Sequence, residues 1–302
     1  MRVGVTGSTG FIGAALVAAL RERGDDVVRF VRPSSGDVDG LRVRWDPERG
    51  IVDDGDLAAV GGFDAVVNLA GTGIAAHRWS PRYRRAVLTS RTTSTTLLVE
   101  ALTSMTSGVA VLVSGSAVGY YGDRGEATLV ETSTSGTDYV AHVCREWERA
   151  AVPFADTGAS LATIRTGIVL GPGGGVLHRL LPLMRVGLGG VLGNGRQWMS
   201  PISLSDEVAA IIWLIDHQLA GVFNLGAPEP CTNREMTRSV AHALRRPALA
   251  RVPATVLRLA LGRELADNTV LTSQRVVPAA LVDSGFTFSS RTIDEIVGSV
   301  LR

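Results

Sequence analysis

Arg2-Val3-Gly4-Val5-Thr6-Gly7-Ser8-Thr9-Gly10-Phe11-Ile12-Gly13 is the stretch on which the fold turns. Its first five residues read as a strand, and the apolar spacing from Phe11 to Arg23 reads as a helix. Between them lie Gly7 and Gly10, with Gly13 one turn on. A helix N-terminus presents unpaired N–H groups and a partial positive charge. Glycines let a pyrophosphate reach those groups with no Cβ in the way. The spacing is GxxGxxG, a weak pattern alone, but here it sits where a strand meets a helix. The stretch therefore reads as a dinucleotide cradle formed by Gly7, Thr9, Gly10, Phe11, Ile12 and Gly13, against the competing reading of a glycine-rich structural turn.

The next strand, Val27 to Val31, ends at Arg32. An NAD site of this kind places an acidic residue about 20 positions beyond the fingerprint, where it holds the ribose 2′-OH. Arg32 stands here instead, followed by Ser34 and Ser35. A guanidinium can pair bidentately with a 2′-phosphate, and hydroxyls can donate to it. The cofactor expected is NADP(H); the competing reading of Arg32 is a solvated surface arginine.

Outward from the cradle, strand and helix signals alternate for 170 residues. Strands are expected at Arg42–Trp45, Ala65–Leu69, Ala110–Ser114 and Leu161–Arg165, and helices at Tyr83–Leu102 and Asp138–Ala151. This βαβα rhythm implies an α/β fold, a doubly wound parallel Rossmann sheet covered on both faces. After Gly171-Pro172 the rhythm breaks into glycine-rich segments, Gly173–Gly175 and Gly187–Gly195. A helix follows at about Ser205–Leu219, then a strand at Val222–Leu225, then short helical stretches between prolines. The expected organisation is a dinucleotide-binding domain over 1–170, to which 203–226 returns, and a smaller, mainly C-terminal substrate lobe over 171–202 and 227–302.

The 302 residues carry a formal net charge of +1, with 45% hydrophobic and 20% charged residues. No long basic block exists, so neither nucleic acid nor an anionic membrane is expected as a partner. The apolar run Val208–Ile215 is far too short for a membrane span. No charged region precedes a leader-like stretch at the N-terminus, so no signal peptide is expected. Cys144 and Cys231 are the two cysteines; they set no disulfide framework and have no metal-ligand spacing. Together these features favour the cytoplasm.

Four blocks also carry a family resemblance. Thr6–Gly13 resembles the fingerprint of the extended short-chain dehydrogenases/reductases. Asp64-Ala65-Val66-Val67-Asn68-Leu69-Ala70-Gly71 resembles their fourth strand, whose end borders the cofactor. Ser114–Gly122 resembles the serine-bearing fifth strand, and Arg165–Pro172 the sixth. Trp45-Asp46-Pro47, Arg78-Trp79-Ser80, Ser90-Arg91, Trp147-Glu148, Gly195–Trp198 and Ala227–Pro230 point to an atypical, NADP-linked branch, the "epimerase family", some of whose members are labelled cell-division-inhibitor-like. The resemblance spans essentially the whole chain. It implies cofactor contacts from Leu69, Ala70 and Gly71, and from Arg91, which falls where many extended members carry an asparagine; an exposed helix arginine is the equal alternative. It also implies a small-molecule substrate, and a homodimer formed through the helices near 83–102 and 138–151.

The superfamily's chemistry uses a Ser–Tyr–Lys set. Tyrosine exchanges a proton with the substrate oxygen, lysine lowers the tyrosine pKa, and serine holds the oxygen by hydrogen bonding. Ser116 fits the serine place, with Ser114 as the alternative, and Tyr139 the tyrosine place. No lysine follows: four residues on is Val143, then Cys144. If Trp147-Glu148 sets the alignment, Tyr139 itself is one position out of register. His142 is either a substitute proton donor or a surface histidine. Tyr120 and Tyr121 either line the nicotinamide pocket or pack their loop, and Gln197 and Trp198 are expected to face the cleft. Cys144 reads as buried and inert; Trp147 and Trp213 read as helix packing. Three functions remain open: an NADP(H)-dependent oxidoreductase or epimerase-like enzyme on a small carbonyl or polar substrate, a non-catalytic NADP(H)-binding regulator or scaffold linked to cell division through the family label alone, and a nucleotide-sugar epimerase.

Overall fold

Short valine-rich runs alternating with amphipathic helices assemble into one eight-stranded sheet in the computed structural model, which describes residues 1–33, 39–185, 189–247 and 250–301. Its strands are β1 (Arg2–Thr6), β2 (Asp26–Val31), β3 (Arg42–Asp46), β4 (Ile51–Val52), β5 (Phe63–Asn68), β6 (Val109–Ala117), β7 (Ser160–Thr166) and β8 (Gly221–Leu225). Their spatial order is β8-β7-β6-β5-β1-β2-β3-β4. Every pairing is parallel except β3 with β4. This is a doubly wound Rossmann sheet, and its order reverses between β1 and β5, opening a crevice at their C-terminal ends.

Helices α1 (Phe11–Glu22) and α6 (Leu204–Asp216) cover one face of the sheet. Leu16 and Leu20 of α1 and Ile211 and Leu214 of α6 pack there against Val3, Val5, Val67 and Val113. The opposite face holds α2 (Asp54–Val60) and α3 (Pro81–Thr103), whose Leu98 and Leu102 meet Val28, Phe30, Val66 and Leu112. The alternation of each strand between these two clusters is the period-2 consequence of pleating. Helix α4 (Tyr139–Ala151) lies beside α3.

A third cluster sits beyond the strand ends. It joins Leu177 and Met184 of α5 (Gly175–Arg185), Met236 and Val240 of α7 (Asn233–Ala243), and Ile293, Ile296 and Val297 of the helix Ile293–Val300. Among the described residues, no helix is long and apolar enough to cross a membrane.

Candidate functional site

The crevice is built first by β1 and its turn. Gly7 has φ +63°, and a Cβ there would stand 2.6 Å from the Leu69 carbonyl oxygen; a Cβ on Gly13 would meet the Gly7 oxygen at 2.2 Å. Neither position can carry a side chain with the turn pressed this closely on β5 and α1. Gly10 differs: among the described residues a Cβ there would meet only the Gly7 oxygen, at 3.1 Å, so its Cα face is open. Gly10 is also the N-cap of α1, and no side chain caps that helix. By contrast Asp53, Ser80, Asp138, Ser203 and Thr232 cap α2, α3, α4, α6 and α7. The N-terminal N–H groups of α1 thus lack the side-chain acceptor found at those five helices, as do those of the C-terminal helices Ala254–Leu261 and Ala279–Asp283; at the sheet crevice this is the condition for taking an anion. Phe11 turns its ring onto the loop Gly171–Gly175, closing the cradle on that side.

Thr6 fixes the far wall. Its hydroxyl donates to Asn68 Oδ1 (2.8 Å) and accepts from the N–H groups of Leu69 and Ala70 (3.1 Å each). Asn68 Nδ2 in turn donates to Thr95 Oγ1 on α3, which also accepts from Trp147 Nε1 on α4. The segment Leu69–Gly71 is thereby held at the mouth of the crevice.

Arg32 follows directly on β2, exposed at the strand end next to β1. No acidic residue stands between Val31 and Pro33. Ser34 and Ser35, expected as hydroxyl donors beside it, lie outside the described residues. Sequence reasoning missed a second cation: Arg29, inside β2, places its Nε 3.2 Å from the Ser8 hydroxyl in the cradle loop, and burial lowers its pKa. An arginine in the run Val27-Val28-Arg29-Phe30-Val31 was the available signal, since its head must reach an opening.

On the α4 side, Ser116 near the end of β6 is almost fully buried and donates its hydroxyl to Glu148 Oε1 (2.6 Å). Arg165 on β7 grips the same carboxylate through two 2.9 Å bonds and reaches the Tyr121 hydroxyl (3.0 Å), which donates to Asn224. Burial acts to lower the Arg165 pKa, but the hydrogen bonds and charge of Glu148 more than offset it and hold it high. Tyr120 lies under the same guanidinium, 3.4 Å away, so both tyrosines pack their loop. Cys144 is fully buried within reach of the Ser116 hydroxyl; burial pushes its thiol up to about 12, leaving it inert. Ser114 Oγ, the alternative serine, is buried without a hydrogen-bond partner.

Tyr139 opens α4 roughly 13 Å along the helix from Glu148. Its hydroxyl donates to the Arg84 carbonyl (2.5 Å), its ring packs on Trp79, and burial raises its pKa despite the charges of Arg84 and Arg91. Serine and tyrosine are therefore engaged with different partners. Arg91 on α3 lies over the Trp147 ring (5.0 Å) and against Gly71, and its Nη1 donates to the carbonyls of Thr72 and Val87. His142 is half-buried beside Glu146. Gln197 is buried with its amide donating to Leu192 and Val270 carbonyls, and Trp198 stacks under Arg275.

Sequence reasoning gives Glu148 and Arg165 no role. An acid on one helix and an arginine inside the strand Leu161–Arg165 had to find partners, but nothing local names which. Glu207 was also missed. It is fully buried on α6, accepts from Thr166 Oγ1 (2.7 Å), and leaves its Oε2 without a partner; burial pushes its carboxyl up to about 8.

The model of the NAD dependent epimerase/dehydratase family matches residues 3–226, and that of a domain of unknown function (DUF1731) matches 252–299. An epimerase family protein of Mycobacterium bovis is 43% identical over 297 residues, covering 98% of this chain and 96% of the relative. The crystal structure of human epimerase family protein SDR39U1 (isoform 2) with NADPH superposes with a TM-score of 0.90 at 31% identity, covering 100% of this chain and 99% of that one. UDP-glucose 4-epimerase of Thermotoga maritima, 19% identical with a TM-score of 0.79 over 100% and 97% of the two chains, shares the fold.

Proposed function

The chain belongs to the NAD dependent epimerase/dehydratase family, and from that premise we propose that it is an NADP(H)-dependent oxidoreductase acting on a small polar carbonyl substrate. One observation carries this reading: α1 opens without a side-chain cap, behind Gly7 and Gly10, into the crevice where the strand order reverses. Open space at Gly10 and the missing cap suit a pyrophosphate. The human relative solved with NADPH supports the choice of cofactor. In this reading Gly7, Thr9, Gly10, Phe11, Ile12 and Gly13 hold the pyrophosphate, Arg32 the 2′-phosphate, and Leu69, Ala70 and Gly71 border the nicotinamide ribose. A bound dihydronicotinamide supplies hydride.

Ser116 orients the substrate oxygen, its hydroxyl rotating from Glu148 toward it. Tyr139 plays a lesser part than its family counterpart, because no lysine stands near and its hydroxyl is tied to the Arg84 carbonyl. That same observation favours a second reading, a protein that binds NADP(H) without turning it over. Calorimetry with NADPH and NADH, followed by a screen of carbonyl compounds for loss of nicotinamide absorbance, separates the two. NADPH bound at least tenfold more tightly than NADH, with turnover on some carbonyl, is expected. Tight NADPH binding with no turnover favours the second reading, and equal affinity for both cofactors overturns the cofactor assignment.

A further inference from the structure

Two arginines pack on neighbouring residues of α4, Arg91 on Trp147 and Arg165 on Glu148, and they differ in one respect. Arg165 is neutralised by the Glu148 carboxylate. Arg91 has no carboxylate partner among the described residues, although burial lowers its pKa. Its Nη1 is taken by the Thr72 (2.9 Å) and Val87 (3.0 Å) carbonyls, which leaves Nε and Nη2, the edge that forms a fork for a carboxylate. Arg91 is half-buried, so its head is not sealed in the interior.

Gly71 explains how the edge stays open. A Cβ there would lie 3.2 Å from Arg91 Cζ and 3.4 Å from Nε, so a side chain would press on the guanidinium from the strand end. Trp147 backs the other side at 5.0 Å. The head is thus clamped between a ring, a glycine and two carbonyls. A charge held this rigidly without a counterion is unfavourable alone and becomes favourable when a ligand brings the anion.

We infer that the Nε–Nη2 edge of Arg91 is the recognition element for a substrate carboxylate, so that the carbonyl substrate is an oxo acid. This inference rests on the proposed function and assigns Arg91 to the substrate instead of the cofactor. Arginine at this place keeps its charge throughout the neutral range. It therefore holds an anion without relaying a proton.

Oxalate, a rigid dicarboxylate, is the probe. It is titrated calorimetrically into the free protein and into the protein saturated with NADPH, for the wild type, Arg91→Gln and Arg91→Lys. Saturable binding to wild type is expected. It falls at least tenfold in Arg91→Gln and is partly restored in Arg91→Lys, while NADPH affinity changes less than threefold. Phenylglyoxal modification of the wild type, read by mass spectrometry, gives a check that needs no variant: oxalate should protect Arg91, and inorganic phosphate at equal concentration should protect it less. No oxalate binding, equal binding by Arg91→Gln, or no protection of Arg91 overturns the inference. A loss of NADPH affinity in Arg91→Gln with oxalate binding unchanged returns the residue to the cofactor. Failure of the wild type to bind NADPH at all sinks the proposed function, and the oxalate titration of free protein reads the carboxylate site separately.

Discussion

Replacing Glu207 by glutamine should remove a pH dependence of stability that the wild type carries. The carboxyl is fully buried, and its pKa moves from a reference of 4.5 to about 8. Between those values the folded protein holds a proton that the unfolded chain has released. Stability therefore falls as pH rises through this window, and is fully present only below the unfolded value. From pH 5 to pH 8 the difference is about 3 kcal/mol, from about 1.4 kcal/mol per pKa unit. For a chain of this length that is roughly 5 °C in Tm. Glutamine has no proton to release, and its amide can still accept from Thr166. Its NH₂ inherits the unpartnered place of Oε2, at a cost that does not vary with pH. The test is denaturant unfolding of both proteins from pH 5 to pH 8, following the difference between them. That difference should shift toward the variant by about 3 kcal/mol across the range. Parallel curves would refute the reasoning, because they would mean the carboxyl ionises freely in the folded state.

Gly10→Val should fold normally, since among the described residues a Cβ there meets only the Gly7 oxygen at 3.1 Å, yet lose dinucleotide affinity; retained NADPH binding by calorimetry refutes the cradle. Arg32→Ala should weaken NADPH about 10- to 100-fold, the worth of one charge-assisted contact, and leave NADH unchanged. With whichever substrate the carbonyl screen yields, Ser116→Ala should slow NADPH consumption far more than Tyr139→Phe, and the reverse ranking would show the site misread. Glu148→Ala should strand the Arg165 guanidinium in the interior and cost about 3–5 kcal/mol in denaturant unfolding; a change below 1 kcal/mol would show that water screens the pair.

The parts of this protein that could be read from sequence are those whose causes are local. Val3-Gly4-Val5 followed by Gly7, Gly10 and Gly13 specifies a strand, a turn and a helix start within a dozen residues, and β1 and α1 begin at the residues expected. Helix α5 was hidden because it starts at the third of three glycines and contains Pro182, both signals for irregular chain. Helix α2 is short and depends on the Asp53 cap. In the candidate site, Ser116 was visible on its strand, but its hydroxyl partner lies 32 residues away on another element. Which acid meets the buried arginine is decided by the packing of α4 on the sheet, and no periodicity encodes it. The tyrosine was ambiguous for the same reason: Tyr139 lies on the first turn of α4, and only the contact with Arg84 on α3 shows where its hydroxyl goes.

The hydroxyl of Thr6 joins four elements through partners far apart in the chain: 62 residues to Asn68, 27 from there to Thr95, and 52 on to Trp147. Each of these polar groups is buried, so a half-assembled version, with α4 undocked or β5 unpaired, exposes an orphaned amide or hydroxyl in place of a merely loosened contact. The network is consequently an all-or-none fastener. It forms only after the distant strands and both helices have met, and it charges any partial opening of the crevice wall with the loss of several bonds together. Amide exchange at Leu69 and Ala70, whose N–H groups end on that same threonine, should then track global unfolding, even though they sit at a rim where chain ordinarily breathes.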